Sequence, residues 1–161
     1  MSGVFNQSAL STNRQGRLTL IQAIGLVPMI LLGGIFLLMA AGMSGWYLYS
    51  QVTQTFKGSS VLAGVIFVFP ISLFLTYLAF LIGGKRLIDM FLGKVSQVEG
   101  RGIKFQGTSS RNRGVGNLYY AVGEEKFIIQ FYGSWKALEG GARMRAYYTP
   151  LSKVLMNLEP I

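Results

Sequence analysis

The chain has 161 residues and a formal net charge of +9, with 51% hydrophobic and only 13% charged residues. Cysteine and histidine are both absent, which excludes disulfides and thiolate metal sites and removes the commonest general base and metal ligand. Ordinary soluble domains carry about 25% charged residues, so this composition points to a membrane part beside one small domain.

The charge deficit is local. The arm before Leu18 carries Arg14 and Arg17 and no acid, and no charged residue then occurs from Leu18 to Phe56 or from Gly58 to Gly84. The first segment, LTLIQAIGLVPMILLGGIFLLMAAGMSGWY from Leu18 to Tyr47, exceeds the roughly 20 apolar residues a spanning helix needs. Its core is expected near Ile21 to Gly42. Ala40-Ala41-Gly42 would suit a signal peptidase, but the apolar stretch is far longer than the roughly 7–15 residues of a signal core, so retention as an anchor is expected. Gln15-Gly16 separates Arg14 from Arg17, which excludes a twin-arginine signal.

The second segment, VLAGVIFVFPISLFLTYLAFL, runs from Val61 to Leu81. Each segment holds one proline, Pro28 and Pro70. Lipid-embedded helices tolerate proline because neighbouring groups re-satisfy the freed carbonyls. A buried soluble helical pair is the alternative, and apolar runs above about 18 residues favour the membrane. A transmembrane hairpin over 18–84 is therefore expected, with helices near 20–45 and 60–83, after an N-terminal arm at 1–17.

Lys85 and Arg86 directly follow the second span, while the connection carries only Lys57. By the positive-inside rule both termini should face the cytoplasm, with Trp46, Tyr47 and Tyr49 at the opposite interface. The expected location is the cell (inner) membrane, with the chain crossing twice. The spans hold no ionisable side chain, where pumps and proton relays usually carry one. Gln22, Ser72 and Thr76 are their notable polar groups, expected to bond backbone or a neighbouring helix. Gly33, Gly34, Ala41, Gly45 and Gly64 are candidate points of close helix approach.

Beyond Gly84 the composition changes. Lys85 to Leu92 has Leu87, Ile88, Phe91 and Leu92 on one stripe, which predicts a short interfacial helix over 85–93 ended by Gly93. Short runs rich in β-branched and aromatic residues follow, punctuated by turn signals. Five strands are expected: Lys94 to Gln106, bent at Gly100 and Gly102; Leu118 to Val122; Lys126 to Phe131; Ala142 to Tyr148; and Val154 to Leu158. Ser134 to Leu138 is expected to form one helical turn. In the fourth strand Met144, Ala146 and Tyr148 should share one face, with Arg143, Arg145 and Tyr147 on the other. In the fifth, Val154, Met156 and Leu158 should oppose Leu155 and Asn157. A sheet this small barely buries a core, so closure of 94–161 into a barrel resembling the OB or SH3 type is expected, which removes open edges.

The hairpin RAYYTPLSKVLMNLEP, preceded by ALEGGARM, resembles the C-terminal barrel of a group of bacterial two-span membrane proteins. The likeness covers the chain from about Asn117 onward and implies a fold, with no activity attached. Membrane helices followed by a small barrel are also similar in plan to proteins of the NfeD type, which implies a partner of membrane scaffolds, though the glycine and proline pattern of that barrel is missing here.

No residue pattern carries catalysis. The stretch 107–116 contains glycines, hydroxyls, Arg111 and Arg113 and could cradle a phosphate, but it matches no nucleotide-binding motif. Glu124-Glu125 reads as a solvated turn, and Asp89 and Glu139 have no evident partner. No enzyme activity, cofactor or metal is expected. Lys85, Arg86, Arg111, Arg113, Arg143 and Arg145 are candidate contacts to lipid headgroups or an acidic partner. The leading expectation is a membrane protein whose barrel binds a protein partner or scaffolds a homo-oligomer at the membrane surface. A pore or transporter subunit is the alternative. A nucleic-acid tether using Tyr119, Tyr120 and Tyr147 with Arg143 and Arg145 is a further alternative.

Overall fold

The computed structural model describes residues 7–53, 61–62, 64–106, 118–129, 138 and 140–161. The expected loop at 107–116, Lys57 and the turn residues 134–137 lie outside them. The described chain comprises a sheet unit, 1–23 with 89–161, and a helical unit, 24–88.

Helix α1 spans Gln7–Arg14 and helix α2 spans Leu20–Thr53. A continuous helical stretch runs from Gly64 to Leu92. It contains α3 (Phe69–Ala79) and α4 (Lys85–Leu92), with π-helical turns at Gly64–Val68 and Phe80–Gly84. The first π turn precedes Pro70, whose ring would press on the carbonyl of a regular preceding turn; widening the backbone there relieves the clash. In the second, Lys85 N–H reaches back to Phe80 O. Both long helices are long and apolar enough to cross a membrane.

The helical pair is built on small residues. A Cβ at Gly33 would stand 2.7 Å from Gly83 Cα and 2.9 Å from Ala79 O, so the backbones touch only because neither glycine has a side chain. Ser44 Oγ donates to Ser72 Oγ at 2.9 Å, and Thr76 Oγ1 donates to Ser72 O at 2.9 Å. Most large apolar side chains, Leu31, Ile35, Leu38, Leu73 and Phe74 among them, are exposed, while Leu26 is buried.

Two boundaries differ from expectation. Helix α2 continues past residue 45, and the segment expected as a separate interfacial helix prolongs the second apolar helix. Gly83-Gly84 widens into a π turn instead of stopping it. The apolar stripe of α4 is exposed as a set, Leu87, Ile88, Phe91 and Leu92, whereas Asp89, which had no evident partner in the sequence, is fully buried.

Five antiparallel strands follow: β1 (Ser96–Gln106), β2 (Leu118–Val122), β3 (Glu125–Ile129), β4 (Arg143–Tyr148) and β5 (Leu155–Pro160), in the order β3-β2-β1-β4-β5. Strand β1 serves two neighbours in succession. Ser96 to Arg101 pair with β4, and Gly102 to Gln106 pair with β2. The handover falls at the expected bend, where Gly100 packs against the backbone of Gly123 and Gly123 takes a φ of +59°. A side chain at either position would collide or be strained.

The core joins both halves: Tyr120, Val122 and Phe127 from β2 and β3 meet Met144, Ala146, Tyr148 and Leu158 from β4 and β5, with Leu138 beside them. Each buried aromatic contributes about 2–3 kcal/mol of hydrophobic stabilisation. The inward face of β4 is the expected one. In β5 the expected alternation is overturned by a bulge. Tyr147 pairs with Asn157 but Tyr148 with Leu155, so Met156 is the extra residue and both Leu155 and Leu158 reach the core.

Candidate interaction surfaces

A polar collar joins the N-terminal arm to the sheet. Asn13, almost completely buried, donates from Nδ2 to Arg17 O at 3.0 Å and to Gln22 Oε1 at 2.9 Å. Gln22 Nε2 donates back to Asn13 Oδ1 at 2.9 Å and to Met156 O at 3.3 Å. Thr19 N–H donates to Gln22 Oε1, and Gln22 N–H to Thr19 Oγ1. That reciprocal pair is a capping box, and the spacing Thr19-x-x-Gln22 is its sequence signal. Gln22 is thus committed at the first turn of α2.

Charged groups extend the collar along β4 and β5. Glu159 accepts from the Arg14 guanidinium and from Tyr147 Oη at 2.8 Å, and Arg145 Nη1 lies 3.8 Å from it. The Arg14 hydrogen bond, followed by that of Tyr147, holds the Glu159 carboxyl below its ordinary range. Arg145 Nε also donates to Glu99 at 2.7 Å, which raises the Arg145 guanidinium above its usual value.

Asp89 clamps the β4–β5 turn. Its carboxylate accepts Leu151 N–H at 3.0 Å, Ser152 N–H at 2.7 Å and Ser152 Oγ–H at 2.6 Å. The residue after this turn, Lys153, has a φ of +53°. Its ammonium lies 2.6 Å from Glu125 Oε1 and 4.6 Å from the Tyr148 ring centroid. The Glu125 bond raises the Lys153 ammonium above its usual value.

The outer face of β1, β2 and β3 is partly apolar. Phe105 stacks on its cross-strand partner Tyr119 with centroids 5.2 Å apart. Lys126 Nζ sits 4.1 Å from the Tyr119 centroid and 4.7 Å from that of Phe105. Ile103 and Ile128 flank the stack at 53% and 61% exposure.

The sequence candidates do not gather into one site. Arg145 is ion-paired, Arg86 donates to Ile82 O, Lys85 is half-buried, and Arg143 is exposed opposite Arg101. Arg111 and Arg113 lie outside the described residues. Of the small residues, Gly33 meets Gly83 and Gly64 faces the Tyr47 ring. Gly34 and Gly45 would offer a Cβ nothing within 4 Å, and Ala41 is exposed while its neighbour Ala40 is buried. Among the described residues no group of acids could hold a metal ion. No protein-family model, no curated protein and no solved structure matches the chain.

Proposed function

We propose that this chain is an integral membrane protein, crossing the inner membrane twice with both termini cytoplasmic, whose sheet closes as a small barrel and docks a protein partner at the membrane surface. The observation that carries the anchor is the inside-out packing of the helical pair. Only 17% and 11% of the apolar windows are buried, and apart from Leu26 what is buried is small or polar: Gly33, Ala40, Gly64, Ser72, Ala79 and Gly83. A soluble core helix hides its large side chains, whereas lipid makes their exposure favourable and leaves close contacts to small residues.

The docking surface is the outer face carrying Ile103, Phe105, Tyr119 and Ile128, with Lys126 over the rings. It fits a protein patch with an apolar centre and an acidic edge. Lys126 occupies the ring faces on which a nucleic-acid base would stack, so nucleic acid is the weaker fit.

Crosslinking in native membranes tests this. Wild type should yield a stoichiometric partner or a defined homo-oligomer, and Ile103→Asp/Ile128→Asp should lose it while resisting alkaline carbonate extraction. Recovery of wild type only as a lone monomer would overturn the docking role.

A further inference from the structure

Arg17 and Lys94 face each other across an isolated antiparallel bridge, the point where the chain passes from α1 to α2 and from α4 to β1. The flanking bonds are Leu18 N–H to Gly93 O at 2.8 Å and Val95 N–H to Gly16 O at 2.9 Å. That pattern makes Arg17 and Lys94 a non-hydrogen-bonded pair, the kind in which opposed side chains approach most closely. Like charges in this position repel and destabilise the pairing.

Nothing among the described residues relieves that repulsion. Both residues are exposed, and neither side chain takes part in a hydrogen bond or ion pair there. Of the five described acids of the sheet unit, four are committed: Glu159 to Arg14 and Arg145, Glu99 to Arg145, Glu125 to Lys153, and Asp89 to the β4–β5 turn; the fifth, Glu124, lies in the turn between β2 and β3. The backbone beneath the pair is nevertheless built, since Asn13 Nδ2 holds the Arg17 carbonyl. Beside the two cations lie exposed apolar side chains, Leu20 at 77%, Ile21 at 71%, Phe91 at 80% and Leu92 at 50%.

We infer that Arg17 and Lys94 together bind the phosphate of an anionic phospholipid, whose acyl chains lie along Leu20, Ile21, Phe91 and Leu92. This rests on the membrane reading above. A phosphodiester between the two cations converts mutual repulsion into two attractions. The Arg17 fork takes two of its oxygens and the Lys94 ammonium supplies a point charge. A headgroup of net negative charge fits better than a zwitterionic one, which brings a cation of its own to a site already holding two.

The test uses the full chain in nanodiscs of phosphatidylcholine, with and without phosphatidylglycerol, read by thermal midpoint and by lipid retention in native mass spectrometry. Phosphatidylglycerol should raise the wild-type midpoint, and inorganic phosphate added to phosphatidylcholine discs should not. Arg17→Gln/Lys94→Gln should abolish the response and weaken retention about fivefold for each cation removed. In pure phosphatidylcholine the same variant should melt higher than wild type, because the repulsion is gone; a sign reversal of this kind is not produced by simple loss of fold. Arg101→Gln, at an exposed cation on β1, should leave the response intact.

An undiminished phosphatidylglycerol response in the double variant, an equal loss in Arg101→Gln, or equal stabilisation by inorganic phosphate overturns the site. Carbonate extraction separates the two readings. Release of wild type brings down the membrane anchor and the site with it, whereas retention without a phosphatidylglycerol response brings down the site alone.

Discussion

Asp89 is the residue whose role depends most on distant partners. It accepts two backbone amides and a hydroxyl from residues up to 63 positions away. Asp89→Ala removes a charged acceptor from those donors and should cost about 2 kcal/mol. The check is hydrogen exchange across 149–155 in detergent, where protection should fall. Asp89→Asn should recover only part of it, because its single carbonyl oxygen replaces one of two acceptor atoms. The sequence offered little here: a lone aspartate on an apolar-striped helix resembles a solvated residue until its partner is found. Gln22 was expected as a polar group of the span; the threonine three residues before it, at the head of an apolar run, is the capping signal that could have placed it.

At the scale of elements, the helical pair depends on the contact of Gly33 with Gly83. Gly33→Leu should cost about 3 kcal/mol or part the helices, whereas Gly34→Leu, with open space around it, should be nearly neutral. The chain lacks cysteine, which makes a clean assay available. Ser44→Cys/Ser72→Cys should crosslink readily in the native background and in Gly34→Leu, and poorly in Gly33→Leu. Glycine content announced that the helices could approach closely, but not which glycines meet. Rotational setting is decided by the partner surface, and Gly33 and Gly34 differ only in which side of α2 they occupy. Strand β5 teaches the same lesson from the sheet. Its alternation was readable, yet the bulge at Met156 shifted the phase by one residue and brought Leu155 to the core.

For the whole molecule, the docking of α1 onto the sheet unit introduces a pH dependence. Glu159 is held below its ordinary range by Arg14 and Tyr147. A carboxyl with a lowered folded-state value stabilises the fold fully above its unfolded value, here 4.5, and that contribution declines as pH falls through the lower folded value. The thermal midpoint in detergent should therefore drop on acidification below 4.5. The difference between wild type and Glu159→Gln should shrink over the same window, as other carboxylates continue to titrate in both. A constant difference down to the acid limit would show that the Arg14–Glu159 pair contributes nothing to docking.

Taken alone, the sequence determined that two long uncharged stretches form helices and that a basic, turn-punctuated tail forms a five-stranded sheet. Both follow from local periodicity, because the spacing of apolar residues reports the geometry of a single element. Only the tertiary structure decided that Asp89 faces inward while Phe91 faces out, that Asn13, Gln22 and Asn157 share one cluster, and that Arg17 stands opposite Lys94. These pairings join positions far apart in the chain, and no local pattern encodes which distant group will satisfy a given polar atom; that choice is made when the backbone closes and each buried donor must find an acceptor.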